Sequence, residues 1–216
     1  MKTYALIRKK RFEQEHSFYR HEDPVPGRVA PNKTKCDTIH TMHIEAIAVQ
    51  STDGFIADSN GGTTLLHSPE DSALLAEKKS KFKLLVMGLY TYVSVKGILT
   101  LSPNILRVVL THRPGDYEKD SVPNELIFIS SEPHEIVSRM EQHGYNSMLI
   151  MGGSKVYSDF LRAGLINRFH ITTEPVTFGN GIPLTTEPDF LKHATEIKHT
   201  ELNTRGTSYT LYEFNK

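Results

Sequence analysis

The segment Met148–Tyr157 constrains the fold more than any other part of the chain. Its first half is an apolar run short enough for a buried strand, and a helix-like pattern follows two consecutive glycines. Gly152 and Gly153 permit a positive φ or a close approach that a side chain would block. We expect Ser154 to cap the following helix, whose unpaired N–H groups and dipole favour an anion. These residues alone leave two interpretations open, a tight turn or a phosphate-binding junction.

Strand and helix signals alternate over most of the chain. The predicted buried strands are Ile44–Val49, Leu84–Met87, Ile105–Leu110, Leu126–Ile129 and Phe169–Thr172. The predicted helices run from Pro69 to about Lys81 with Ser68 as N-cap, from about Pro133 to His143, and from Ser154 to about Ala163. A further strand-to-helix junction is predicted at Tyr90–Val93. This alternation indicates an α/β fold with a mostly parallel central sheet and flanking helices.

The two ends of the chain differ from this pattern. Residues 1–42 are basic, histidine-rich and interrupted by prolines, so they are predicted to be a partly irregular N-terminal appendage to a domain spanning 43–216. Near the other end, the alternating runs Ala194–Leu202 and Ser208–Phe214 predict a C-terminal antiparallel hairpin. Gly179–Leu184 is predicted to be a turn.

Composition excludes several functional classes. Lys+Arg and Asp+Glu both number 25, so no global field favours nucleic acid or a membrane surface, and we expect neither as a partner. A single cysteine, Cys36, excludes an intrachain disulfide and suits a reducing compartment. Since no signal-like or membrane-length apolar run occurs, a cytoplasmic location is expected. The eleven histidines lack metal-ligand spacing, so no metal site is expected.

Three predicted strands end in residues suited to phosphate. Gly152–Ser154 follows one, Gly88–Thr91 a second, and Thr111–Arg113 a third. Because ligands of parallel sheets bind beyond the carboxyl ends of the strands, neighbouring ends would hold several phosphates at once. Arg113 could bind a separate phosphate through a charge-assisted contact, and the alternative for Arg113 is an exposed loop arginine. A dinucleotide with a 2′-phosphate would satisfy all three ends.

Acidic residues near two turns are candidates for catalysis. Asp71, in the first turn of a predicted helix and beside a loop, could hold or protonate a pyrimidine- or pterin-like heterocycle. The alternative is that Glu70 and Asp71 only complement the helix dipole. Asp53 lies in the turn Ser51–Gly54, where its alternative role is an Asx hydrogen bond.

These residues and their spacing resemble the dihydrofolate reductase-like superfamily, most closely the riboflavin-biosynthesis pyrimidine reductase (RibD C-terminal) domains. The resemblance covers about residues 43–215. Its most specific part is Gly152–Tyr157 followed by Pro175 and Gly179–Leu184. Asp53–Ala57 resembles the first turn of the same branch.

The resemblance implies reduction by NADPH, with hydride passing to a heterocycle or an opened ribosyl imine. It assigns Thr111 and Arg113 to the 2′-phosphate and Ala48 to the nicotinamide. The residues that it assigns to the pyrophosphate region of the cofactor are Gly88, Thr91, Gly152, Gly153, Ser154, Lys155 and Val156. It places Asp53 and Asp71 as catalytic residues, and Ser68 and Thr172 at the substrate. A homodimer is also implied.

Some features depart from the folate reductases. Leu89 and Tyr90 stand where basic residues often grip the cofactor there, and no tryptophan-bearing loop is present. Ser72 fits the position of the substrate-gripping acid about as well as Asp71 does. Three functions follow as hypotheses: a riboflavin-type reductase of a ribosylaminopyrimidine phosphate, a dihydrofolate reductase, or a dinucleotide-binding module without turnover.

Overall fold

The structure, a computed structural model, describes residues 41–215. The predictions for the N-terminal appendage, including Cys36, lie outside these residues. The strands are β1 His43–Ser51, β2 Phe55–Asp58, β3 Leu84–Gly88, β4 Leu106–Leu110, β5 Leu126–Ile129, β6 Ser147–Ile150, β7 Arg168–Glu174, β8 Gly181–Pro183, β9 Ala194–Glu201 and β10 Ser208–Phe214. The helices are α1 Pro69–Lys79, α2 Leu89–Val95, α3 Pro133–Gln142 and α4 Ser154–Arg162. None of the helices in residues 41–215 is long and apolar enough to cross a membrane.

Eight strands form one twisted sheet in the order β5-β4-β3-β6-β1-β7-β10-β9. The first six in this order run parallel, and β10 is antiparallel to both of its neighbours. Ala46 and Ala48 of β1 are buried because this strand lies inside the sheet. The α/β fold class, with its mostly parallel sheet and C-terminal antiparallel hairpin, is thereby confirmed.

The parallel arrangement brings the ends of β3, β4 and β6 to the same edge of the sheet. Gly88 at the end of β3 pairs with Leu110 at the end of β4, and Thr111 follows directly. On the other side, the Gly88 N–H donates to the Gly152 carbonyl oxygen at 2.7 Å. The three phosphate-suited segments are therefore neighbours, which is the condition that the sequence argument left open.

One predicted turn contains a strand. Gly179–Leu184 includes β8, which pairs antiparallel with β2, so the prediction of a turn throughout was wrong. A Cβ at Gly181 would lie 2.2 Å from the Ala57 carbonyl oxygen, and the absence of a side chain therefore permits this pairing. The pairing depends on a partner strand distant in sequence, which the local pattern does not reveal.

One helix end and one helix cap also differ from prediction. α1 ends at Lys79 rather than near Lys81, because the chain tightens there and delivers buried Phe82 to the core. α4 begins at Ser154 with Gly153 as its N-cap, so the predicted capping role of Ser154 was wrong. The N-cap role of Ser68 was correct, since its hydroxyl accepts from the Asp71 N–H at 3.1 Å.

Candidate functional site

Two glycines connect the end of β6 to the start of α4. The Gly152–Gly153 peptide bond is cis, and Gly152 has φ +98°. A Cβ on Gly152 would lie 2.9 Å from the Tyr157 hydroxyl, and one on Gly153 would lie 3.4 Å from the Thr91 hydroxyl. No side chain among the described residues caps α4. Its first-turn N–H groups are therefore available to an anion.

Gly88 completes the floor of this junction. A Cβ there would meet the Val156 side chain at 3.1 Å and the Gly153 nitrogen at 3.7 Å. Gly88, Thr91 and Val156 therefore lie around the two glycines of the β6–α4 turn. Ser154 and Lys155 are the first two residues of α4. This cradle of close backbone, which larger residues would fill, fits the pyrophosphate of a dinucleotide.

The predicted phosphate-binding cations lie on the surface. Arg113 is 78% exposed and pairs with Asp116 at 3.3 Å, and Lys155 is 72% exposed and pairs with Asp159 at 2.8 Å. The Thr111 hydroxyl accepts from the Arg113 N–H at 3.3 Å. Exposed ion pairs of this kind are weak, so either cation can turn toward a phosphate. The exposed-loop alternative describes Arg113 as it stands, and no contact joins it to the glycines.

Ala48 lies in β1 at the level of this junction. Ala46 pairs with Ile150, and the same parallel register carries Ala48 to the level of Gly152. The Tyr157 hydroxyl donates to the neighbouring Ile47 carbonyl oxygen at 2.5 Å and fixes α4 against β1. Burial, and then the charge of Asp71, raise the pKa of Tyr157. On the other side of β1, Ala48 pairs with Ile171 of β7, the residue before Thr172.

Asp71 is the buried residue of α1, with 5% exposure, whereas its neighbour Ser72 is exposed. Burial raises the pKa of Asp71, and the charge of Glu174 raises it further, while Thr172 and His67 act in the opposite direction. Ser68 lies beside it, but its hydroxyl is used to cap the helix. Asp71 and Ser72 are the two candidates for the position of the substrate-binding acid, and burial favours Asp71.

Two polar residues of β7 lie near Asp71 without full hydrogen bonding. Thr172 is fully buried, and its hydroxyl lies near enough to Asp71 to lower the pKa of that carboxyl, although it makes no hydrogen bond of good geometry among residues 41–215. Glu174 is 4% exposed; its Oε2 accepts from the Thr207 hydroxyl at 2.7 Å, whereas Oε1 has no partner among the same residues. Sequence reasoning missed Glu174 because it ended the strand at Thr172. Extending the strand period by one step would have placed both side chains on one face.

Asp53 has a different environment. Its carboxylate accepts from the Ser51 hydroxyl at 2.6 Å and from the N–H groups of Phe178 and Gly179 at 3.2 and 2.7 Å. The Ser51 bond is the main cause of its lowered pKa. Asp53 therefore ties the β1–β2 turn to the segment before β8, and its catalytic role stays a prediction. No three His, Cys, Asp or Glu side chains within 41–215 are grouped to hold a metal ion.

The chain is similar to two curated relatives and to several solved structures. It is 28% identical to the uncharacterized protein YwjB of Bacillus subtilis (strain 168) over 138 residues, which are 62% of this chain and 77% of that protein. A structure from Shewanella sp. PV-4 with a provisional riboflavin-biosynthesis name has 26% identity and a TM-score of 0.63, covering 81% of this chain and all of that one.

Two more distant structures share the fold. Dihydrofolate reductase from Enterococcus faecalis, complexed with NADP(H) and RAB-propyl, has 23% identity and a TM-score of 0.59, covering 82% of this chain and 98% of that one. The diaminohydroxyphosphoribosylaminopyrimidine deaminase/5-amino-6-(5-phosphoribosylamino)uracil reductase of Thermotoga maritima has 15% identity and a TM-score of 0.65. That match covers 81% of this chain and 57% of the Thermotoga chain.

Residues 43–211 match the model of the RibD C-terminal domain. The match includes the cradle, Asp71 and the whole of β7. This chain belongs to the RibD C-terminal domain family and is a RibD-like reductase with a dihydrofolate reductase-like fold.

Proposed function

We propose that this protein is an NADPH-dependent reductase that acts on a ribosylaminopyrimidine phosphate or a related small heterocycle. The observation that carries the proposal is the cradle formed by Gly88, Thr91, Gly152, Gly153 and Val156 at the carboxyl edge of the sheet. The family match and the named activity of the Thermotoga protein support the choice of substrate class. The NADP(H) named in the Enterococcus structure supports the choice of cofactor.

The cofactor would bind along three neighbouring strand ends. The uncapped start of α4, with Ser154 and Lys155, would bind the pyrophosphate, while Thr111 and Arg113 would bind the 2′-phosphate. Ala48 would border the nicotinamide. When bound, NADPH supplies the hydride.

The substrate would bind on the side of Asp71. The buried Asp71 carboxyl, with the buried Thr172 hydroxyl near it, suits the N–H edge of a pyrimidine. Ser68 holds the first turn of α1, and Asp53 holds the turn between β1 and β2, so both frame this region. A homodimer in the cytoplasm completes the proposal.

Binding of NADPH and NADH to the purified protein tests the cofactor assignment. Arg113→Gln is expected to raise the Kd for NADPH by about tenfold to a hundredfold, as for the loss of a charge-assisted hydrogen bond, and to leave NADH binding unchanged. Arg168→Gln is the matched control, because Arg168 is also partly exposed and ion-paired but opens β7 at the opposite edge. Equal effects of the two substitutions on NADPH binding would contradict the assignment.

The burial of Asp71 favours dihydrofolate reduction as a second candidate function. It predicts NADPH oxidation with dihydrofolate and its loss in Asp71→Asn. A panel of ribosylaminopyrimidine phosphates and pterins separates the candidates by which class is reduced. Tight NADPH binding with no oxidation across the whole panel would refute both activities and leave a dinucleotide-binding module.

A further inference from the structure

The turn between β9 and β10 contacts both elements that carry the proposed substrate-binding residues. From this turn, Arg205 Nη2 donates to both carboxylate oxygens of Glu70, in the first turn of α1, at 3.1 and 3.0 Å. The Thr207 hydroxyl donates at 2.7 Å to Oε2 of Glu174, the last residue of β7. One short turn therefore joins the start of α1 to the end of β7.

Hydrogen bonds within the β9–β10 turn fix its own shape. The Asn203 side-chain oxygen accepts from the N–H groups of Arg205 and Thr207 at 2.9 and 3.2 Å. Gly206 has φ +98°, and a Cβ there would lie 3.5 Å from Cβ of Pro175, the residue after β7. The turn is thus anchored on the end of β7, and it presents Arg205 to α1 from a fixed base.

Asp71 directly follows Glu70 and is the buried residue of α1. Its N–H donates to the Ser68 hydroxyl at 3.1 Å, and the Ser72 N–H donates to the Ser68 carbonyl oxygen at 3.0 Å. These bonds are local to the first turn of α1, so they do not set its position relative to the sheet. The ion pair between Arg205 and Glu70 is a contact that does, because Arg205 is anchored on β7 through its own turn.

We propose that Arg205 is a positioning residue for substrate binding, which acts through Glu70 to hold the first turn of α1, and with it Asp71, against the end of β7. The proposal rests on the proposed function, in which Asp71 of α1 and Thr172 of β7 bind the substrate. Arg205 is 65% exposed and Glu70 is 29% exposed, so the pair adds little to the stability of the fold. Its loss is expected to weaken substrate binding, whereas the cofactor cradle lies on other elements and is unchanged.

Steady-state kinetics of Arg205→Gln test the proposal, with the compound of the pyrimidine and pterin panel that the wild type reduces as substrate. We expect kcat/KM to fall by about fivefold, the upper range for a partly exposed ion pair. The fall is expected mainly in KM, because bound substrate restores the order of the first turn. The Kd for NADPH and the urea midpoint are expected to stay at their wild-type values. A fall confined to kcat, or an equal weakening of NADPH binding, would overturn the proposal.

A double-mutant cycle separates positioning from direct contact between Arg205 and the substrate. Glu70→Gln is expected to cause the same loss as Arg205→Gln, and the double variant no greater loss than either. If Arg205 bound the substrate itself, Glu70→Gln would free its guanidinium and would keep or raise kcat/KM. That result, or losses that multiply in the double variant, would overturn the proposal. Arg168→Gln is the control, because it breaks the pair with Glu213 at the opposite end of β7 and is expected to leave kcat/KM unchanged.

Amide hydrogen exchange provides a test that needs no turnover. The N–H groups of Asp71 and Ser72, both bonded to Ser68, are expected to exchange about twofold to fivefold faster in Arg205→Gln and at the wild-type rate in Arg168→Gln. Unchanged exchange in Arg205→Gln would overturn the proposal. Absence of NADPH oxidation by the wild type would refute the proposed function instead, and the exchange rates would still decide whether Arg205 orders the first turn of α1.

Discussion

Replacing Gly181 by alanine tests the packing of β8 against β2. The added Cβ would lie 2.2 Å from the Ala57 carbonyl oxygen and 3.2 Å from Cγ of Phe55. The first distance is about 1.3 Å short of an ordinary contact of about 3.5 Å. Because the obstructing atom is backbone, the two strands must separate.

The size of the effect follows from three contributions. Overpacking costs about 1–3 kcal/mol, and a hydrogen bond lost between β2 and β8 costs about 1 kcal/mol more. Alanine also lowers the conformational entropy of the unfolded chain, which raises the free energy of unfolding by about 0.4–1 kcal/mol. We expect a net loss of about 1–4 kcal/mol, which for a chain of this size lowers Tm by about 2–16 °C.

Urea and thermal unfolding of Gly181→Ala and Gly97→Ala measure the difference. Gly97 is the matched control, because no atom lies within 4 Å of its added Cβ and its φ is not in the left-handed region. We expect Gly97→Ala to unfold at or slightly above the wild-type midpoint. Equal free energies of unfolding for the two variants would show that the β2–β8 contact does not constrain position 181.

Three further predictions concern buried polar groups. Tyr157→Phe removes the hydrogen bond to the Ile47 carbonyl and is expected to lower the free energy of unfolding by about 1 kcal/mol in a urea titration. Tyr117→Phe is the control, because it keeps the stacking on Phe128, and we expect it to leave the free energy of unfolding unchanged. Asp71→Asn is expected to abolish turnover but to be more stable than the wild type above the raised pKa of Asp71, where the wild type must bury a charge; a difference in the free energy of unfolding that does not grow with rising pH would refute this. Burial alone would raise the pKa of Glu45, but hydrogen bonds to His170 and His43 lower it to about 2. The lowered pKa stabilises the fold above the ordinary value of 4.5, so up to about 3 kcal/mol should be lost as the pH falls from about 5 to about 2. Unfolding free energies measured over this range should be flatter in Glu45→Gln.

The parts of the fold that the sequence predicted correctly depend on local patterns. Apolar runs identify β3, β4 and β6, and in a parallel sheet their carboxyl ends must lie at one edge, so the placement of Gly88 and Gly152 at that edge was predictable. Their direct contact depends on the strand order, which the sequence does not give. The N-cap at Ser68 is likewise local, since the cap and the N–H that it accepts from are three residues apart.

The features that were missed depend on distant partners. β8 has no apolar period of its own and exists because β2 pairs with it. Asp53 resembles an ordinary turn aspartate until its bonds to Phe178 and Gly179, more than a hundred residues away, are known. Glu174 reads as a surface acid, and its burial follows from its contact with Thr207 across the sheet.

The position of β1 in the sheet has a consequence for folding. Among the eight strands that the sheet contains within residues 41–215, β1 is synthesised first, yet its two neighbours, β6 and β7, begin about a hundred residues later. During translation this apolar strand therefore waits with both hydrogen-bonding edges open, a state prone to association with other chains. Pairing over such separations also slows folding. A nascent chain stalled before Ser147 should therefore depend on chaperones more than one released after Glu174, and ribosome-bound fragments of both lengths would reveal the difference.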